Sequence, residues 1–209
     1  MSCAVSAVQR AGQGGWDFGS REDVASKDFS VQSGSGGIAG RAFSLKQQRC
    51  VHCGCAESLN RHSKLYGNDP ANPGKQAERG QRVFCSNRGQ RGGCGRTFSI
   101  YLAEMLPRHT VRAGAVSGLL KELLAGQSIK RAAERLRLPF ALETLYHLLA
   151  RLRGRLDAVR SWLWRRQPAP ASSHTQPLLQ TVEHLQAVFP AATCPVSEFQ
   201  VVFEEPLLG

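Results

Sequence analysis

The chain has 209 residues, 42% of them apolar, which allows one ordinary domain or two small ones. It holds no run of about 18 apolar residues and no apolar stretch behind its first charges, so neither a membrane span nor a secretory signal is expected. The formal net charge is +11, a balance that suits a polyanionic partner, most simply nucleic acid.

The charge is unevenly spread. Residues 1–40 carry net −1, residues 41–112 net +9, residues 113–166 net +7 and residues 167–209 net −4. Taken in chain order, residues 1–44 read as a disordered N-terminal segment. GQGG and SGSGGIAG lie there, aliphatic residues are few, and no period of 2 or 3.6 persists. Cys3 stands alone in that stretch and is expected to bind nothing.

Residues 45–105 contain five of the seven Cys but few long apolar runs. A segment so thin in hydrophobes needs a staple to fold. Without an export signal, metal binding is a better default than a disulfide scaffold. CVHCGC places Cys50 and Cys53 at Cys-x2-Cys spacing, with Gly54 after them. FCSNRGQRGGCGRTF places Cys85 and Cys94 farther on, with Gly95 following. Two arms that each deliver two sulfurs make a closed tetrahedral zinc site, and glycine relieves strain where the chain reverses. Phe84 and Phe98 are expected to back it. The spacing therefore predicts a small, β-rich zinc ribbon holding one structural Zn2+ through Cys50, Cys53, Cys85 and Cys94. Cys55, His52 and His62 remain alternative ligands. The insert SNRGQRGG between the second pair is glycine-rich and basic, as a flexible loop between ligands would be. A catalytic zinc is not expected, because Glu57 is the only acid near the first arm and the deaminase signature is absent.

Residues 113–166 read as an all-α helix-turn-helix. Leu119, Leu120, Leu123, Leu124, Ile129, Ala132, Ala133 and Leu136 recur at helical spacing, as do Leu145, Leu148, Leu149, Leu152 and Leu156. Gly126 is the expected stop of the first helix and Ser128 the N-cap of the second. Arg137, Leu138 and Pro139 make the turn into a third helix over about 141–153. Thr144, His147 and Arg151 form one polar stripe on it, placed as a recognition helix places its base-reading residues. Arg88, Arg91, Arg96, Lys130 and Arg131 are the expected phosphate contacts. Residues 167–176 read as a linker. Residues 177–209 read as an acidic tail whose stripe Leu178, Val182, Leu185 and Phe189 marks a short amphipathic helix, with FQVVF at 199–203 as a candidate strand. That stripe must dock on the body of the chain, a second copy, or another protein.

Over residues 48–155 these motifs resemble the N-terminal DNA-binding region of bacterial insertion-sequence transposases, where a zinc ribbon precedes a helix-turn-helix. The resemblance implies that the four cysteines bind zinc, that residues 141–153 form the recognition helix, and that the ligand is double-stranded DNA at the ends of a mobile element. It also implies a cytoplasmic, nucleoid-associated bacterial protein and a catalytic transposase chain or a second copy as partner. Two features depart from the usual pattern: the eight residues between Cys85 and Cys94, and Arg137 where such turns often carry glycine. Transposase catalysis needs three spaced carboxylates. The acids after residue 166 are Glu183, Glu198, Glu204 and Glu205, so the chain is expected to be no enzyme. A transcription regulator would use the same module, and an RNA-binding or protein-interaction zinc module is a further alternative.

Overall fold

The computed structural model describes residues 29–32, 45–69, 72–89 and 92–208. Its first part is a sheet of four strands: β1 Phe29–Gln32, β2 Leu59–Asp69, β3 Asn72–Cys85 and β4 Thr97–Leu102. Strands β2, β3 and β4 are antiparallel neighbours, and β1 joins the far side of β4 in parallel, with Phe29 opposite Ser99. Residues 29–32 lie inside the stretch expected to be disordered, and that expectation is corrected there. The rest of residues 1–44, with Cys3, lies outside the described residues.

Alternation along the strands decides what the sheet buries. Val83 and Cys85 of β3 face the same side as Phe98 and Ile100 of β4, and with Leu45, Cys50 and Leu59 they make the sheet's small core. Phe84, between two inward residues, turns to the other face, so only one of the two expected aromatic backings is in the core. Beyond this core β2 and β3 run on as a long hairpin, largely exposed on both faces and broken by three register shifts.

Six helices come next along the chain: α1 Ala113–Leu124, α2 Ile129–Arg135, α3 Leu142–Gly154, α4 Leu156–Trp164, α5 Pro177–Val188 and α6 Pro195–Phe203. Gly126, at φ +82°, ends the first helix, and the Gln127 N–H reaches back to the Glu122 carbonyl in a glycine-terminated cap. Ser128 caps α2 by accepting from the Arg131 N–H at 3.3 Å. Ala132 and Ala133 are buried where α2 crosses its neighbours, since small side chains let helices approach closely.

The acidic tail is part of this body. Residues 167–176 carry no helix or strand, as a linker would, but residues 177–208 hold two helices rather than one helix and a strand. Val196, Phe199, Gln200 and Phe203 recur at helical spacing, and Pro195 at the start of α6 pre-sets its first turn. Phe203 meets Phe199 at 4.9 Å, Trp162 at 5.7 Å and Phe189 at 6.2 Å between ring centres. Leu178, Val182, Leu185 and Phe189 are buried in one core with Leu119, Leu145 and Leu149. Polar contacts seal the join: Arg160 donates to Thr181 and Gln180 at 2.8 and 2.9 Å, and Arg155 lies 3.6 Å from Glu205. Burial pushes the Glu205 carboxyl above its usual range, and Arg155 opposes that shift.

Residues 103–112 connect sheet to helices and are gripped from both sides. From α6, the buried Gln200 amide donates to the carbonyls of Ala103 and Met105 at 2.8 and 3.2 Å. From β3, Arg79 donates to the carbonyls of Leu106 and His109. Gly67 makes room for this arm, because a Cβ there would stand 2.5 Å from Arg79 Cδ.

Candidate metal centre

Two reversals of the chain bring the four cysteines together. In the first, Gly54 at φ +72° donates its N–H to the Cys50 carbonyl at 2.8 Å. In the second, Gly95 at φ +74° donates to the Cys85 carbonyl at 2.9 Å. Both positions need a left-handed backbone, which glycine adopts without steric cost. The same closing bond thus forms whether two residues separate the cysteines, as in the first arm, or eight, as in the second. The longer spacing leaves the reversal intact. Gly93 packs tightly at its end, where a Cβ would lie 2.8 Å from the Cys85 sulfur.

The four Sγ atoms of Cys50, Cys53, Cys85 and Cys94 all lie within 4.8 Å of one another. The Cys50–Cys94 and Cys53–Cys85 pairs are each 3.7 Å apart. Metal–sulfur bonds of about 2.3 Å in a tetrahedron give sulfur–sulfur edges of about 3.8 Å, so the cage fits a single four-coordinate ion. Donors converge on the sulfurs as thiolates would require. The His52 N–H points at Cys50 Sγ and the Cys94 N–H at Cys85 Sγ, both at 3.4 Å, and the Ser58 hydroxyl lies 3.2 Å from Cys85 Sγ.

The alternatives are placed elsewhere. Cys55 donates to the Gly92 carbonyl at 2.8 Å. His52 stands edge-on to Phe98 at 5.9 Å. His62 is exposed on β2 beside Ser63. Cys194 is remote, at the start of α6.

Burial pushes the Cys50 thiol up to about 12 and also raises Cys94. For Cys53 burial works the same way, but the Cys55 N–H and the neighbouring thiols outweigh it and bring the thiol down to about 7. A cation must therefore displace protons on binding. Metal affinity is expected to fall as pH falls, which a competition titration against a chelator at about pH 8 and pH 6 measures.

The remaining expected contacts lie on separate elements. Arg88 and Arg96 are exposed on the second arm, and Arg91 lies outside the described residues. Lys130 and Arg131 are exposed on α2. On α3, Leu145, Leu148, Leu149 and Leu152 face inward, while Thr144, His147 and Arg151 are all exposed. Arg151 is not isolated, for its Nη1 lies 3.5 Å from His109 Nε2 of the connector. Sequence reasoning missed that neighbour and Arg108 beside it. The only signal was Pro107, whose fixed φ favours the second position of a turn.

No protein family, curated protein or solved structure matches this chain. Among the described residues, no helix is long and apolar enough to cross a membrane.

Proposed function

We propose that this is a zinc-dependent, non-catalytic protein that binds double-stranded DNA, with α2, the turn and α3 acting as a helix-turn-helix beside a zinc ribbon. The observation that carries the reading is α3 itself: four leucines anchor one face, and Thr144, His147 and Arg151 are held outward on the other. An exposed stripe on the second helix of such a pair is where base edges are read. The net charge of +16 over residues 41–166 supplies the phosphate attraction that positions it. Four thiolates in a closed tetrahedron favour zinc over harder cations and leave no open position for chemistry. The resemblance to the front end of insertion-sequence transposases makes the ends of a mobile element the natural target, with catalysis in another chain.

The test has two arms. Elemental analysis of purified protein should give about one zinc per chain. Fluorescence anisotropy with labelled duplexes should show log affinity falling with log salt at about −0.9 per phosphate contact. Changing Arg151 or His147 to Ala should alter the ranking of duplex sequences, whereas Arg88→Ala should weaken all of them alike. Equal weakening by every variant would remove the groove-reading role of α3.

A further inference from the structure

Two arginines occupy backbone conformations that glycine would adopt at lower cost. Arg108, at φ +61°, is the third residue of the turn Leu106–His109, closed by the His109 N–H on the Leu106 carbonyl at 3.2 Å. With Pro107 second, this is a type II turn, whose third position favours glycine because φ must be positive. Arg137, at φ +50°, ends α2. Its N–H bonds the Glu134 carbonyl and the Leu138 N–H bonds the Ala133 carbonyl, at 3.1 and 3.0 Å. That is a Schellman cap, whose left-handed residue is usually glycine. Both side chains are exposed, so packing does not explain why a long cation stands at either place.

Their positions relative to α3 do. Arg137 precedes the first turn of α3. Arg108 adjoins His109, whose ring meets Arg151 in the third turn. The stripe Thr144, His147 and Arg151 is thus flanked by a strained arginine at each end. From Ala141 to Arg151 the helical rise is about 15 Å, comparable with a major groove about 12 Å wide. Strain of this kind persists where the surroundings enforce it and collects at binding sites.

We infer that Arg108 and Arg137 are the two phosphate clamps that seat α3 in the groove, one on each bordering DNA strand. Each exchanges backbone comfort for a fixed cation at the groove's rim. The inference rests on the DNA-binding reading above and adds residues that reading does not require.

Glycine is the informative substitution, because it relieves the backbone and removes the charge together. Arg108→Gly and Arg137→Gly in the full, zinc-loaded chain should each raise the melting temperature by about 2–4 °C. Each should also weaken binding to a mixed-sequence 30-base-pair duplex several-fold and lower the salt slope by about 0.9. Glu204→Gly is the control. Glu204 has φ +51° at the end of α6, on the acidic tail, so its substitution should raise the melting temperature and leave DNA binding unchanged. Arg108→Lys, which keeps charge and strain, should bind nearly as the parent does. Arginine-to-glycine variants that are stabilised but bind with unchanged affinity and slope would overturn the clamps alone. Variants that are destabilised would reassign both arginines to the fold. A parent chain that ignores duplex DNA at low salt, or prefers single-stranded RNA, would remove both this inference and the reading beneath it.

Discussion

Among the described residues the sheet's core gathers seven buried apolar side chains, and two of them, Cys50 and Cys85, belong to the cysteine cluster. The core around the helices gathers 24, drawn from every helix and from both ends of the segment 106–208. The sheet exposes a long hairpin on both faces, whereas each of the six helices buries an apolar stripe. The contrast separates two ways of offsetting chain entropy. The helical body does it with apolar burial, at about 1.5–3 kcal/mol for each fully buried large side chain. The sheet has too few such side chains, and a cation in the four-cysteine cage would make up the difference, since such binding is worth about 10–16 kcal/mol in small structural zinc peptides near neutral pH.

The largest expected effect breaks one side of the contrast. Stripping the metal with a strong chelator, or Cys53→Ser, should abolish amide protection in β2–β4 while most of the helical far-ultraviolet signal persists. Hydrogen exchange read by segment checks it, and a sheet that stays protected without metal would erase the distinction. Cys55→Ser, whose thiol bonds the Gly92 carbonyl outside the cage, should leave metal content unchanged. Next in size is Phe199→Ala in α6. Phe199 is fully buried, so the helical body should lose about 3–5 kcal/mol, seen by denaturant unfolding, with metal content intact. Loss of metal in that variant would mean that sheet and helices unfold as one unit. The smallest effect sharpens the boundary. Gln200→Ala removes the donor shared by the Ala103 and Met105 carbonyls and should cost about 1–3 kcal/mol. Faster exchange at residues 103–112 should report it, with little change in either core.

The cysteine cage was legible because its signal is local. Cys-x2-Cys-Gly and a second Cys-Gly dictate where the chain must reverse, and the eight-residue insert leaves that reversal unchanged. The caps at Gly126 and Ser128 were readable for the same reason, as were the inward Leu145, Leu149 and Leu152 of α3, although Leu142, also expected inward, is only partly buried. The long hairpin was not. Largely exposed on both faces, residues 60–69 and 74–82 carry no apolar alternation, and alternation is what identifies a strand from sequence. FQVVF misled in the opposite direction. Its valines favour strands, but Pro195 starts a helix and the aromatic cluster of Phe189, Phe199 and Phe203 rewards helical spacing, so tertiary packing overrides propensity. Nor does an apolar stripe such as Leu178 to Phe189 say what it packs against. The left-handed arginines leave only indirect traces, Arg137 in a turn that often carries glycine and Pro107 before Arg108, because an arginine does not announce its φ.

Leu207 and Leu208, each 1% exposed, share one core with Leu119 and Leu145, and that sets an order of events during synthesis. All four cage cysteines are made by residue 94, and Leu208 comes 114 residues later. At about 5–20 residues per second the interval is roughly 6–23 s. The nascent chain can therefore assemble its cysteine cage well before the helices have their full core to close on, and the packing beneath α3 is complete only once Leu207 and Leu208 arrive. Under the proposed function, a product that stops short of α6 would keep its cysteine cage and yet present no settled recognition helix, so interrupted translation would yield a chain unable to occupy a site.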